Sequence, residues 1–331
     1  MPLHFGIMQK NIITNRILKG GGTMKQYQRE FIGIATAFLF TILFLSGCES
    51  PKLKTTTVKV IDGFSSPESV IAGPSKGYIF ISNMGVKLEP SKKDKDGFIS
   101  RLSADGKILE KKYFPKTGVL HAPKGMAIIG KTLFVTDIDR VVGFDLSTRK
   151  QNFMLDFSKE KTVFLNDLSV FDDHTLFVSA TDIGKIYKIS INKKPSFKLL
   201  MDNITGANGL YFDSKQQKLF VVSFGEGSKA NGSLGAISFQ DNKPTYQKLT
   251  EQIGALDGIA LLPDSKILFS DWVAFDKPGV MRVYNLNTKK LTIMNLPEKV
   301  HGPADFFYDG KNNQLWLPKM LEGKVLLVKI G

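Results

Sequence analysis

The sequence predicts an all-β fold, a six-bladed β-propeller whose last blade is completed by a strand from the N-terminal side. Three observations lead there. A hairpin-like unit, two apolar runs around a polar turn, occurs six times; successive units start 56, 42, 42, 49 and 48 residues apart; and no 3.6-residue apolar pattern of useful length runs through the chain after residue 54. Propeller blades of four strands repeat every ~40 to 50 residues, and short apolar runs bounded by turn residues read as strands.

The N-terminal part has a different character. Residues 1–23 fit no part of a signal peptide and precede Met24, which opens a basic segment reaching Arg29, so they read as an upstream extension with translation beginning at Met24. Phe31 to Leu45 is an apolar run of 15 residues, too short for a membrane-spanning helix and within the range of a secretory signal. It ends at Leu45-Ser46-Gly47-Cys48, which resembles the lipobox of bacterial lipoproteins. That resemblance implies a signal peptide over residues 24–47, lipidation of Cys48, and a mature protein exported and anchored by lipid to the bacterial cell envelope, on the periplasmic face or the cell surface. Residues 48–54 are short and polar and read as the tether, leaving 55–331 for the propeller.

Composition narrows the partners. Cys48 is the single cysteine, which excludes an intrachain disulfide framework and a cysteine-rich zinc site. The formal charge of +14 comes from Lys and Arg scattered through turns, as at Lys92-Lys93 and Lys289-Lys290, with no basic helix or aromatic-interleaved stripe. Nucleic acid is therefore not an expected partner. A monomer with a small-molecule substrate is expected.

The units run in order along the chain. A spare strand, TTTVKVIDGF from Thr55, comes first. The hairpins then begin at Pro67, Pro123, Leu165, Gly206, Leu256 and Ala304, and those of the second and third repeats are each followed by two further strand-like runs. After the sixth only KVLLVKI, Lys324 to Ile330, remains. The spare strand supplies the missing fourth, which gives 24 strands and leaves no open edge between the chain ends.

Aligned on their first polar residue, the units start at Glu68, Lys124, Asn166, Asn208, Asp257 and Asp305. Innermost strands line a propeller's channel, so these six side chains are expected on one axis. Carboxylates and amides crowded at a constricted site are costly unless paired or coordinated. Oxygen donors of this kind suit a hard divalent cation.

These residues carry a resemblance to the regucalcin/gluconolactonase (senescence-marker-protein) family of six-bladed propellers, over roughly Thr55 to Ile330. The matching motifs are Pro67-Glu68-Ser69, Asn166-Asp167, Asn208-Gly209 and Asp257-Gly258. The resemblance implies a central divalent metal, calcium first with magnesium, manganese or zinc as alternatives, held by Glu68, Asn208 and Asp257, with Asn166 as a further ligand or substrate contact. It also implies a metal-dependent hydrolase of a lactone or related ester, with Asp257 doubling as general base. Apart from the resemblance, Lys124 and Asp305 complete the ring as substrate-side residues, Lys124 either neutralising the extra carboxylate or binding an anionic substrate, and His121 and His301 are expected near the same mouth. Where the sugar-lactone members carry a substrate-contacting Arg, this chain has Phe164. That replacement removes a bidentate donor and points to a more apolar lactone or ester. The alternative from another class is a non-catalytic envelope propeller that binds or scaffolds a partner.

Overall fold

The computed structural model describes residues 53–74, 77–227, 229–240 and 243–331. The predicted upstream extension, signal peptide, Cys48 and most of the tether lie outside these residues. The described part is a six-bladed propeller of six four-stranded antiparallel sheets. The innermost strands are Pro67–Ala72, Pro123–Ile129, Leu165–Asp172, Ala207–Asp213, Leu256–Leu262 and, in blade six, Phe307–Asp309. Thr55–Asp62 forms the outer strand of blade six against Lys324–Ile330, in seven residue pairs from Thr55 with Ile330 to Asp62 with Lys324. The predicted closure by an N-terminal strand is observed.

Burial falls from the axis outward, and the sequence of each strand follows it. Second strands such as Thr132–Asp137 and Lys266–Asp271 are apolar and buried over nearly their whole length, because neighbouring blades cover both faces. Outer strands such as Gln151–Asp156 and Lys243–Lys248 alternate partly buried with exposed residues. Apolar side chains interdigitate between every adjacent pair of blades. The last of these interfaces packs Trp316, Val325 and Leu327 of blade six on Ile79, Ile81 and Leu102 of blade one. At ~25 cal/mol per Å² of apolar surface, this circular burial is the main stabilising term. Among the described residues helix is confined to two short 3-10 turns, Ser158–Glu160 and Met320–Glu322.

One irregularity recurs at the axis. The inner strands of blades one to five each shift register just after their first residue, between Pro67 and Val70, Pro123 and Met126, Leu165 and Leu168, Ala207 and Leu210, and Leu256 and Ile259. Two residues there oppose one, a β-bulge, which leaves a backbone N–H without a ladder partner. Hydroxyls on the second strands accept it in three blades. Ser82 Oγ takes the N–H of Ser69 at 2.8 Å, Ser179 Oγ that of Asp167 at 3.0 Å and Ser270 Oγ that of Gly258 at 2.8 Å.

The bulge separates consecutive side chains into two rings, and this corrects the sequence alignment in blade six. Pro303 bridges Lys319 while Phe307 pairs with Trp316, the register shift seen after Pro67 and Pro123. Ala304 therefore takes the position of Glu68, Lys124, Asn166, Asn208 and Asp257. Asp305 belongs with Ser69, Gly125, Asp167, Gly209 and Gly258. A slip of one residue sends a strand side chain to the other side.

The glycines of the second ring are demanded by proximity. A Cβ on Gly209 would stand 2.1 Å from the carbonyl oxygen of Asp257, and one on Gly258 would stand 2.6 Å from the Cα of Asp305. The Asn208-Gly209 and Asp257-Gly258 pairs lie within strands, where neighbouring backbones pass too closely for a side chain.

Candidate metal centre

Glu68, Asn166, Asn208 and Asp257 line one cavity of about 620 Å³ at one mouth of the channel, and all four are at most 5% exposed. The strands that carry them place the first residue of each bulge toward this mouth. Among the described residues, five buried side-chain polar atoms have no hydrogen-bond partner. Four of them are Glu68 Oε2, Asn166 Oδ1, Asn208 Oδ1 and Asp257 Oδ1; the fifth is Arg101 Nε, whose guanidinium stacks on the rings of Tyr78 and Tyr113. A buried acceptor without a partner costs about 1 to 3 kcal/mol, so four converging on one cavity mark a place for an electropositive ligand.

Local bonds hold these oxygens in place. The Asn208 amide donates to the carbonyl of Leu256 in the next blade at 3.2 Å, which turns its Oδ1 free. The indole N–H of Trp272 donates to Asp257 Oδ2 at 2.8 Å and leaves Oδ1 unpartnered. Burial pushes the Asp257 carboxyl up to about 7, with the Asp305 charge adding and the Trp272 bond opposing. Burial also raises Glu68 well above the carboxylate range, with Asp257 and Asp305 adding and Lys124 opposing.

The donor set fits a hard divalent cation. Two carboxylates balance its charge, and two carboxamide oxygens complete an all-oxygen set of the kind calcium, magnesium and manganese take. Zinc fits less well, since it favours nitrogen and sulfur donors. Among the described residues no three His, Cys, Asp or Glu side chains gather into a metal-holding group; the amides are indispensable to this set.

The remaining predicted residues fall elsewhere. Phe164 lines the cavity. Lys124 is almost fully buried, and its ammonium donates to the carbonyls of Pro90 at 2.8 Å and Ala122 at 3.1 Å and lies 4.6 Å from the Phe164 ring centre. Its donors are thus engaged by the protein, and it does not line the cavity. Burial brings its pKa down to about 8 against the opposing pull of Glu68. His121 is nearly buried, and its Nδ1 accepts the N–H of Lys95 at 3.1 Å. His301 pairs its Nδ1 with Glu322 at 3.2 Å. Neither histidine lines the cavity.

Asp305, in the second ring, lines a separate cavity toward the other mouth together with Asp167. Ser69 Oγ donates to Asp305, and Asp167 accepts the backbone N–H groups of Leu168 and Leu210, both at 2.7 Å. These bonds tie blade one to six and blade three to four. Burial raises Asp305 to about 7 and Asp167 well above its ordinary value.

Sequence reasoning missed Trp272, Phe224 and Phe275. Their rings form a wall of the same cavity, with centroids 5.9 Å apart for Phe224 and Trp272 and 5.2 Å for Trp272 and Phe275. The only sequence signal was an aromatic residue just after the second strands of blades four and five. Asp137 and Asp271, fully buried at the ends of second strands, were also passed over. Each accepts backbone N–H groups from the segment entering its inner strand, His121 and Ala122 for Asp137 and Ala255 for Asp271, and each pairs with an arginine, Arg140 or Arg282.

A scan of protein-family models finds no match to the sequence, and a search of curated proteins finds none either. Solved structures share the architecture. A luciferin-regenerating enzyme aligns with a TM-score of 0.60 at 11% identity, covering 84% of this chain and 95% of its own. Virginiamycin B lyase from Staphylococcus aureus aligns at 0.58 with 13% identity, covering 84% and 99%. Hydrazine synthase of Kuenenia stuttgartiensis aligns at 0.56 with 14% identity, covering 83% and 76%. At such identities the likeness is one of fold.

Proposed function

We propose that this protein is a divalent-cation-dependent hydrolase of a lactone or related ester, with calcium as the first choice of ion. The observation that carries the reading is the set of four unpartnered buried oxygens in one cavity. The three solved structures that share the fold are named as enzymes, which is compatible with a catalytic role. Glu68, Asn166, Asn208 and Asp257 would hold the cation, which when bound supplies a Lewis acid for the ester carbonyl and for water.

The chain's own residues provide the rest. Asp257 is fixed through Oδ2 by the Trp272 indole, so its other oxygen meets the reacting atoms in a set orientation. It accepts the proton of the attacking water as the water oxygen bonds to the carbonyl carbon. The ester C–O bond then breaks, and that proton passes to the departing alkoxide, giving an alcohol and a carboxylic acid, which releases the second proton of the water to solvent as it becomes a carboxylate. Lys124, spent on carbonyls and the Phe164 face, offsets part of the site's negative charge.

The test is turnover of a panel of lactones and aryl esters by protein saturated with calcium, magnesium or manganese, against protein in EDTA. Hydrolysis that needs the ion and disappears in Asp257→Asn supports the proposal. A panel with no ion-dependent turnover refutes it and favours the binding or scaffold role.

We also propose export and lipid anchoring at Cys48, resting on the basic start, apolar run and Leu45-Ser46-Gly47-Cys48 sequence. Metabolic labelling with palmitate should mark the wild type and spare Cys48→Ala; equal labelling of both would remove the assignment.

A further inference from the structure

We infer that the cavity beside the four oxygens is built for a neutral ester or lactone bearing an aromatic ring, and that Phe275 determines this specificity. The inference rests on the hydrolase reading and narrows its substrate class.

The first argument is the wall itself. Trp272 joins the two halves of the site, since its N–H bonds Asp257 while its ring packs edge-on to Phe224 and tilted against Phe275. Phe275 is about half exposed, at 51%, and lines the cavity. A flat ring seated there meets the edges and faces that aromatic pairs prefer.

The second argument is that the chain accepts strain to make this wall. Val273 has φ of 62°, a left-handed conformation costly for a β-branched residue. Asp271 holds it by accepting the Val273 N–H at 2.8 Å, and Arg282 in turn holds Asp271 at 2.8 Å. Val273 thus stands in the short segment between Trp272 and Phe275, both of which line the cavity.

Charge supplies the third argument. Among the described residues lining the cavity there is no Lys, Arg or His, while Asp182 and Glu226 stand at its rim. Asp182 spends its oxygens on Thr162 and Val163, and Glu226 pairs with Lys229. In the ion-free protein no side chain lining the cavity offers a cation to a carboxylate or phosphate. The aromatic walls likewise give little to a polyhydroxylated ring, which needs a paired donor or acceptor for each hydroxyl it buries.

Binding tests this apart from turnover. The chain has two tryptophans, and Trp316 is buried in the interface of blades six and one. A full-length Trp316→Phe protein therefore leaves Trp272 as the sole indole reporter. In EDTA, dihydrocoumarin should quench its fluorescence saturably. Glucono-δ-lactone and benzoate should bind at least ten-fold more weakly. Phe275→Ala should weaken dihydrocoumarin about five-fold, the worth of one aromatic contact. Calorimetric titration of unmodified protein and of Phe275→Ala gives the same comparison if Trp316→Phe folds poorly. Equal or tighter binding of glucono-δ-lactone, or no change in Phe275→Ala, would overturn the inference. Ring binding without ion-dependent turnover would instead uphold this inference and count against the hydrolase reading, so the two fail separately.

Discussion

Replacing Asp257 by Asn should stabilise the ion-free protein at pH 8 and abolish its response to calcium. The Asp257 carboxyl titrates at about 7 against an ordinary 3.8. At about 1.4 kcal/mol per pH unit, keeping it ionised in the fold at pH 8 costs roughly 4 kcal/mol. An amide carries no charge to desolvate. With its oxygen toward the Trp272 indole, its NH₂ would face Glu68 Oε2, Asn166 Oδ1 and Asn208 Oδ1, acceptors now without partners. For a domain of this size 1 kcal/mol moves Tm by about 2 °C, so Asp257→Asn should melt up to about 8 °C above wild type in EDTA. Calcium at 100 times its Kd adds about 2.7 kcal/mol to whichever protein binds it, roughly 5 °C for wild type and nothing for the variant. Differential scanning calorimetry in EDTA and in calcium, at pH 5 and pH 8, reads both effects. The variant's advantage should shrink at pH 5, where the wild-type carboxyl is protonated. A variant less stable than wild type in EDTA at pH 8, or one that gains as much from calcium, would refute the reasoning.

Asp305 should give the ion-free protein a pH-dependent stability of its own. Its folded pKa of about 7 lies above the unfolded value near 3.8, so its contribution is complete below about 4 and is lost as pH rises through about 7. Asp305→Asn should therefore flatten the fall of denaturant-derived ΔG over that window by up to about 1.4 kcal/mol per pH unit, and an unchanged slope would speak against it. Gly258→Ala should cost more than about 3 kcal/mol or prevent folding, because its methyl would stand 2.6 Å from the Asp305 backbone. Gly310→Ala, 3.4 Å from the nearest side chain, should stay within about 0.5 kcal/mol in urea melts. Deleting Thr55–Asp62 should expose Lys324–Ile330 as an open edge, read as a lower Tm and higher-order species in light scattering.

Much of the architecture was legible because blade geometry imposes itself residue by residue. The apolar second strands, the polar turns and the missing fourth strand after Lys324–Ile330 gave the blade number and the closure. Four polar residues that line one cavity, Glu68, Asn166, Asn208 and Asp257, could be aligned because each opens a bulge of the same form. Asp305 was misaligned by one residue, since polarity was matched where register should have been. The prolines held the correct register, as Pro67, Pro123 and Pro303 all stand before the bulge. Lys124 sits in register, but a long flexible stem lets its ammonium leave the axis for Pro90, and no pattern of spacing reports where such a stem bends. Trp272 does not stand out in the sequence, because its bond to Asp257 depends on a loop path set by tertiary structure.

The latch of the ring has a mechanical side. The closing strand starts at Thr55, seven positions after Cys48, so under the proposed lipid anchoring a pull between membrane and protein reaches Thr55–Asp62 before any other strand. Its hydrogen bonds to Lys324–Ile330 run across the strand, so tension along the strand loads its seven pairs together instead of unzipping them one at a time. The segment that closes the circle would thus also bear the tension, and it bears it in its stronger direction.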